Sequence, residues 1–251
     1  MLRKSFYKGS GFLLPTKYMK RIVKTTLAVA AITAALVAAG QAAIIVSVTD
    51  DAPIQSNSAD TNYGSNINIY SYYRNVTGQP YYKTWMKLDA SSLDTLTSGG
   101  TTLNLTASNA TAGYTIDFYL LSGVDSSSWN EGTITWNNAP GNNSGGAGFT
   151  TGASATYLAS FTSFTFTAGT TYSLSITGAA ETALLGALNT GSRTATIAFQ
   201  RTGSGSLVNN FHSTESVTES FRPTLTAIPE PSQFALLGLG MVAIAFSRRR
   251  K

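Results

Sequence analysis

The chain contains no cysteine. Disulfide staples and thiolate metal sites are therefore excluded, and a secreted domain built from it must be held by packing, with or without a bound ion. It has one histidine, His212. One histidine and no cysteine rule out the usual zinc sites. A Ser-His-Asp triad would have to use His212, and no serine sits in a G-x-S-x-G elbow. Charge is also scarce, with Asp, Glu, Lys and Arg making up 12% of 251 residues. The formal net charge of +5 is misleading, because the cations cluster at the two ends. Residues 1–42 carry seven Lys and Arg, and the last four residues carry four more. The body, Ala43 to Ala227, keeps 6 cations against 11 acids, a net charge of 6 − 11 = −5. A basic chain would point to nucleic acid or anionic lipid; this body gives no support for a nucleic-acid partner.

Both ends read as addresses. From Met19 the chain runs MKRIVKTTLAVAAITAALVAAGQAA. Lys20, Arg21 and Lys24 form a basic head, Leu27 to Ala39 an apolar segment, and Gly40 to Ala42 a small-residue cleavage site. Residues 1–42 are thus a signal-peptide region, cut by signal peptidase after Ala42, with Met19 as the expected start; an uncleaved membrane anchor is the alternative. The other end reads IPEPSQFALLGLGMVAIAFSRRRK. Pro229, Glu230 and Pro231 come first, and the two prolines cannot continue a helix. Phe234 to Phe246 is apolar or glycine throughout, and Arg248, Arg249, Arg250 and Lys251 close the chain. A helix over that run is about 20 Å long, short against a hydrocarbon core of roughly 30 Å unless flanking residues extend it. The cations would hold its end on the cytoplasmic side. A buried core helix is the alternative.

Triplet, apolar segment and basic cluster in this order resemble a PEP-CTERM sorting signal over residues 228–251. The resemblance implies a Gram-negative bacterium with an exosortase. It also implies a transient inner-membrane intermediate and delivery to the cell surface or extracellular matrix.

The body alternates short β-branched and aromatic runs with Gly and Asn clusters, the pattern of an all-β domain. Strands are expected at Ile44–Thr49, Asn66–Tyr72, Tyr82–Asp89, Thr101–Ser108, Tyr114–Leu121, Ala155–Ala159, Ser163–Phe166, Thr171–Thr177, Thr194–Gln200 and Pro223–Ala227. One helix is expected at Ala179–Asn189. Leu103 and Leu105 share a face, as do Ile116, Phe118 and Leu120, then Tyr172, Leu174 and Ile176, then Ile197 and Phe199. Each set should point inward. The expected architecture is a single jelly-roll-like antiparallel β-sandwich over residues 43–227, between an N-terminal signal helix and a C-terminal apolar helix.

The segment WNEGTITWNNAP (Trp129 to Pro140) is the most specific part of the body. With NYG (62–64), YYKTWMKLDASSL (81–93) and FHSTESVTESFRPTLTA (211–227), in this order, it resembles the DNRLRE family of secreted β-sandwich domains. That resemblance spans Asp50 to Ala227 and implies a fold like that of carbohydrate-binding modules, some members binding acidic polysaccharides such as alginate. Lys83 stands where many members carry Arg. His212 lies inside a family segment, which implies a structural role for it.

A non-catalytic polysaccharide-binding protein is the resulting expectation. Tyr72, Tyr73, Tyr81 and Tyr82 would supply ring faces, and Arg74 and Lys83 would pair with the carboxylates of an acidic glycan. A loop-edge packing cluster is the other reading of these tyrosines. Trp129 and Trp136 would either stack on sugars or pack their loop onto the sandwich. Lys87 shares strand parity with Lys83 and Trp85, so all three should project from one face. Asp50, Asp51 and Asp60 offer oxygen donors suited to a structural calcium. The rival classes are a polysaccharide lyase or hydrolase using Tyr and acidic residues, and a self-associating structural matrix protein.

Overall fold

The computed structural model describes residues 43–72, 80–149, 154–202 and 208–229. The signal-peptide region, most of the sorting segment, Tyr73 and Arg74 lie outside these described residues.

The strands are β1 (Ile44–Gln55), β2 (Asn68–Ser71), β3 (Tyr82–Asp89), β4 (Leu96–Thr106), β5 (Thr111–Ser122), β6 (Ser154–Phe166), β7 (Thr171–Ile176), β8 (Thr194–Thr202), β9 (Asn209–His212) and β10 (Thr224–Pro229). One helix, α1 (Gly178–Asn189), follows β7. Eight strands form an antiparallel sheet in the order β6-β5-β8-β3-β1-β10-β4-β7, and β2 pairs with β9 in a separate ribbon. The large sheet curls into a nearly closed antiparallel sandwich. Each expected strand is present. The two runs expected at 155–159 and 163–166 join into the single strand β6. β9 was not expected, because NNFH is too short and polar to read as a strand.

Alternation placed the core correctly. Leu103, Leu105, Ile116, Phe118, Leu120, Leu174, Ile176, Ile197 and Phe199 are all buried in one cluster, with Tyr172 packed against it. Leu184, Leu185 and Leu188 of α1 and Ile69 and Phe211 of the ribbon complete that cluster. Phe211 meets Phe166 edge to face at 5.2 Å, the geometry that aromatic quadrupoles favour.

A second cluster lies on the opposite face of the sheet. It comprises Ala52, Ile54, Trp85 and Ala198 under Trp129, Ile134, Trp136 and Ala139 of the segment after β5. A register shift in β1 between Val48 and Asp50 makes this possible. Val46 and Val48 join the first cluster, whereas Ala52 and Ile54, at the same parity, join the second. One extra residue in the strand has exchanged its faces.

Candidate functional site

The Trp segment is a structural cover. Trp129 and Trp136 are both buried. The Trp129 indole N–H donates to Thr196 Oγ1 at 2.9 Å, and that of Trp136 to the Ser144 carbonyl at 3.1 Å. Asn62 donates from Nδ2 to the carbonyls of Glu131 and Ile134, at 2.5 and 2.7 Å, so the early NYG motif clamps the Trp segment.

Lys83, Trp85 and Lys87 do share one face of β3, as strand parity predicts, but the Trp segment covers that face. Lys83 is 1% exposed. Its Nζ donates to Asn142 Oδ1 at 2.8 Å, Gly148 O at 2.6 Å and Asn143 O at 3.3 Å, and lies 4.6 Å from the Trp136 ring centre. Burial lowers its pKa to about 7. Lys87 pairs with Asp50 at 3.0 Å and donates to the Trp129 carbonyl. The expectation of a Lys83 exposed to an acidic glycan is thereby corrected: its ammonium is spent inside the protein. Tyr72 is also buried, its ring 5.1 Å from that of Tyr82. Tyr81 is half-buried and stacks on Trp136 at 6.4 Å.

The three aspartates expected to bind calcium have separate partners. Asp50 holds Lys87, and Asp60 accepts from Asn137 Nδ2 at 2.7 Å. Asp51 is buried and accepts from the Thr214 N–H at 2.8 Å. Among the described residues no three acidic or imidazole side chains are placed to hold a metal ion. Asp51 lies instead near Glu131 and Glu215; desolvation, then these two charges, push its pKa well above the usual carboxylate range.

A concave surface opens elsewhere, beside the β2–β9 ribbon. Ile69 and Phe211 turn one face of the ribbon to the core, so Asn68, Tyr70 and Asn210 take the other. With Asn66 and Ile67, Gln55 at the end of β1, Tyr82 at the start of β3, and Val208, they line a cleft of about 420 Å³. That volume falls within the roughly 300–1,000 Å³ of small-molecule sites. Tyr70 and Tyr82 meet edge to face at 5.7 Å. Gln55 Nε2 donates to the Tyr70 hydroxyl. The Tyr70 backbone exchanges hydrogen bonds with Thr84 Oγ1 at 3.2 and 2.8 Å, and Tyr72 and Tyr82 bond reciprocally through their backbones. These bonds hold the ribbon against β3 and fix the two rings. Burial raises the pKa of both phenols, so both stay protonated at neutral pH. Asn68 and Asn210 each keep a buried side-chain carbonyl oxygen with no partner.

Sequence reasoning selected Tyr82, but missed the amides. Asn in this chain is so common that Asn66, Asn68 and Asn210 read as loop punctuation. Their convergence depends on the unexpected pairing of β2 with β9.

The model of carbohydrate-binding module family 96 matches residues 42–227. The chain belongs to that family. The PEP-CTERM protein-sorting motif matches residues 227–251. Among curated proteins none matches the chain. The family 96 module thus carries an address for exosortase-dependent export to the cell surface or beyond.

Proposed function

We propose that this family 96 module is a non-catalytic protein of the cell surface or extracellular matrix that binds polysaccharide in the cleft between β2, β3 and β9. The observation that carries this reading is the cleft itself: two fixed tyrosine rings and four side-chain amides converge on one concave surface. Flat rings suit the C–H faces of sugars, and amides suit their hydroxyls. Among the described residues its lining contains no carboxylate and no imidazole to act as acid or base. The two phenols, with raised pKa values, are poor general bases at neutral pH. Export begins with signal-peptidase cleavage after Ala42, passes through an inner-membrane intermediate held by the apolar tail, and ends with exosortase processing at Pro229–Pro231.

The test is a glycan array on the secreted protein, followed by calorimetry with Tyr70→Ala and Tyr82→Ala variants whose folding is checked by circular dichroism. Binding that falls at least about tenfold, or about 1.4 kcal/mol, in folded variants supports the cleft. Sustained release of reducing ends or unsaturated products would overturn the non-catalytic reading. Mass spectrometry of the same material is expected to show Ala43 at the N-terminus and no peptide from Phe234 to Phe246.

A further inference from the structure

The sorting motif begins inside the fold. Its match starts at residue 227, and β10 runs on to Pro229, the first residue of the triplet. From Thr224 to Thr226, β10 lies opposite Asn104 to Thr102 of β4. The register then jumps, so that Ile228 lies opposite Thr97 and Pro229 opposite Leu96. On the other side, the pairing with β1 ends at Ile44 and Ala227. Among the described residues, β4 is thus the strand that holds Ile228 and Pro229. The stretch of β4 that makes the jump is braced by α1. Gly99, Gly100 and Thr101 donate their backbone N–H groups to Glu181 Oε1 at 2.9, 3.2 and 3.1 Å. Gly99 takes φ 129°, a conformation that L side chains rarely adopt. At the other end of the helix, Asn189 Oδ1 accepts the Leu96 N–H at 2.8 Å, and its Nδ2 donates to the Leu96 carbonyl at 2.7 Å. Leu184, Leu185 and Leu188 fix α1 in the core.

We infer that the folded body masks its own sorting signal, and that exosortase reaches the triplet only when Ile228 and Pro229 leave β4. This inference rests on the proposed processing at Pro229–Pro231 and concerns the regulation of that site. A segment cannot lie in a sheet ladder and in an enzyme's cleft at once, because both claim the same backbone groups. Processing and pairing therefore compete. Pro229 has no N–H to give the ladder, and the end of β10 is paired on one side. Its last two residues therefore open at a cost well below that of unfolding the sheet. When opening and closing are fast, attack on a transiently opened segment follows the population of the open form. Whatever tightens the end of β10 on β4 slows processing, and whatever frees the triplet speeds it. Glu181 and Asn189 act through β4 and set how firmly that end is held.

The experiment follows the full-length precursor by pulse–chase in an exosortase-bearing bacterium, with tail-bearing and tail-free chains separated by mass. In one variant a flexible Gly-Ser insert of about six residues, reaching about 20 Å when extended, separates Ile228 from Pro229. In another, Thr97→Cys and Ile228→Cys place thiols on facing residues. The chain has no other cysteine, so these two form its one internal disulfide, which thiol labelling verifies. The insert should speed tail removal several-fold. The disulfide should block removal, and added reductant should restore it. Asn189→Ala, which deletes both bonds to Leu96, should speed removal about fivefold. Should that variant fail to fold, the insert and the disulfide still decide. A disulfide-closed chain that loses its tail as fast as the reduced one would overturn the masking, and so would an insert that leaves the rate unchanged. An unchanged rate in folded Asn189→Ala would overturn the bracing role of α1. A tail kept by the wild type but released from the insert variant would support complete masking. A tail kept by both would overturn the processing reading and this inference with it.

Discussion

Lys83 Nζ lies 2.6 Å from the carbonyl oxygen of Gly148, at the far end of a loop that folds over β3 and buries the ammonium almost completely. No carboxylate lies within ion-pair distance of Lys83 among the described residues. Its partners are Asn142, Asn143, Gly148 and the Trp136 ring, all neutral. The residue is therefore a bolt between sheet and loop, and its charge is held at a cost.

That cost predicts a pH dependence. The folded pKa is about 7 against 10.5 for the free side chain. Between those values the folded chain holds fewer protons than the unfolded chain, so this group's contribution to stability rises with pH. Below about 7 the burial penalty is fully felt. Urea denaturation of wild type and Lys83→Met should diverge with pH, the variant lacking the rise between 7 and 10.5. Lys83→Ala, which also empties a packed volume, should cost about 2–4 kcal/mol at pH 7.

Trp129 and Trp136 are buried, and each spends its indole N–H on the protein. Changing either to Ala should destabilise the fold by about 3–5 kcal/mol, read from denaturant midpoints. Glycan affinity of the fraction that remains folded should stay unchanged. A folded Trp variant with binding abolished would move the site to the Trp segment.

The β3 residues mark where reading the sequence stopped. Parity correctly set Lys83, Trp85 and Lys87 on one face, because alternation along a strand is a local property. What lies over that face is not local: the partners of Lys83 are about sixty positions away, in a stretch that composition marks only as loop. The placement of the three aspartates was illegible for a similar reason. A strand irregularity between Val48 and Asp50 sends the faces of β1 to different clusters, and no residue type announces it. The inward faces of β4, β5, β7 and β8 were legible because apolar alternation there is uninterrupted at the residues named. In the cleft, Tyr82 stood out as an aromatic, whereas the amides became recognisable only once β9 was paired with β2.

Gly64 tests the clamp between the NYG motif and the Trp segment. A Cβ built there would fall 2.0 Å from the Glu131 carbonyl oxygen and 2.5 Å from its carbon, both backbone atoms. Neither can move without lifting the loop that Asn62 holds through the same carbonyl. Gly64→Ala should therefore cost at least about 1–3 kcal/mol, as overpacking does. Asn62→Ala should cost a similar amount by leaving the Glu131 and Ile134 carbonyls short of a donor. Combining the two should cost less than the sum, because both loosen one contact. A double-mutant cycle in urea checks this, and additivity would refute the shared clamp.

Asp51 supplies the opposite pH signature to Lys83. Its carboxyl is buried, accepts one hydrogen bond from the Thr214 N–H and leaves its other oxygen without a partner. Desolvation is the leading cause of its raised pKa, with Glu215 and Glu131 adding repulsion. Glu131 is shifted the same way, again chiefly by desolvation. A carboxyl with a raised folded pKa keeps its proton in the folded chain after the unfolded chain has lost it. Its stabilising contribution is full below the unfolded value of about 3.9 and is lost as pH rises through the folded one. Asp51→Asn keeps the acceptor for Thr214 and removes the ionisation. The amide can also donate toward Glu131 or Glu215, which the ionised carboxylate cannot. The stability of Asp51→Asn relative to wild type should therefore increase with pH. Thermal midpoints of both proteins at intervals from pH 4 to about pH 8 read this difference directly. A constant difference would mean that Asp51 ionises alike in the folded and unfolded chains, and that the carboxylates around it are solvated after all.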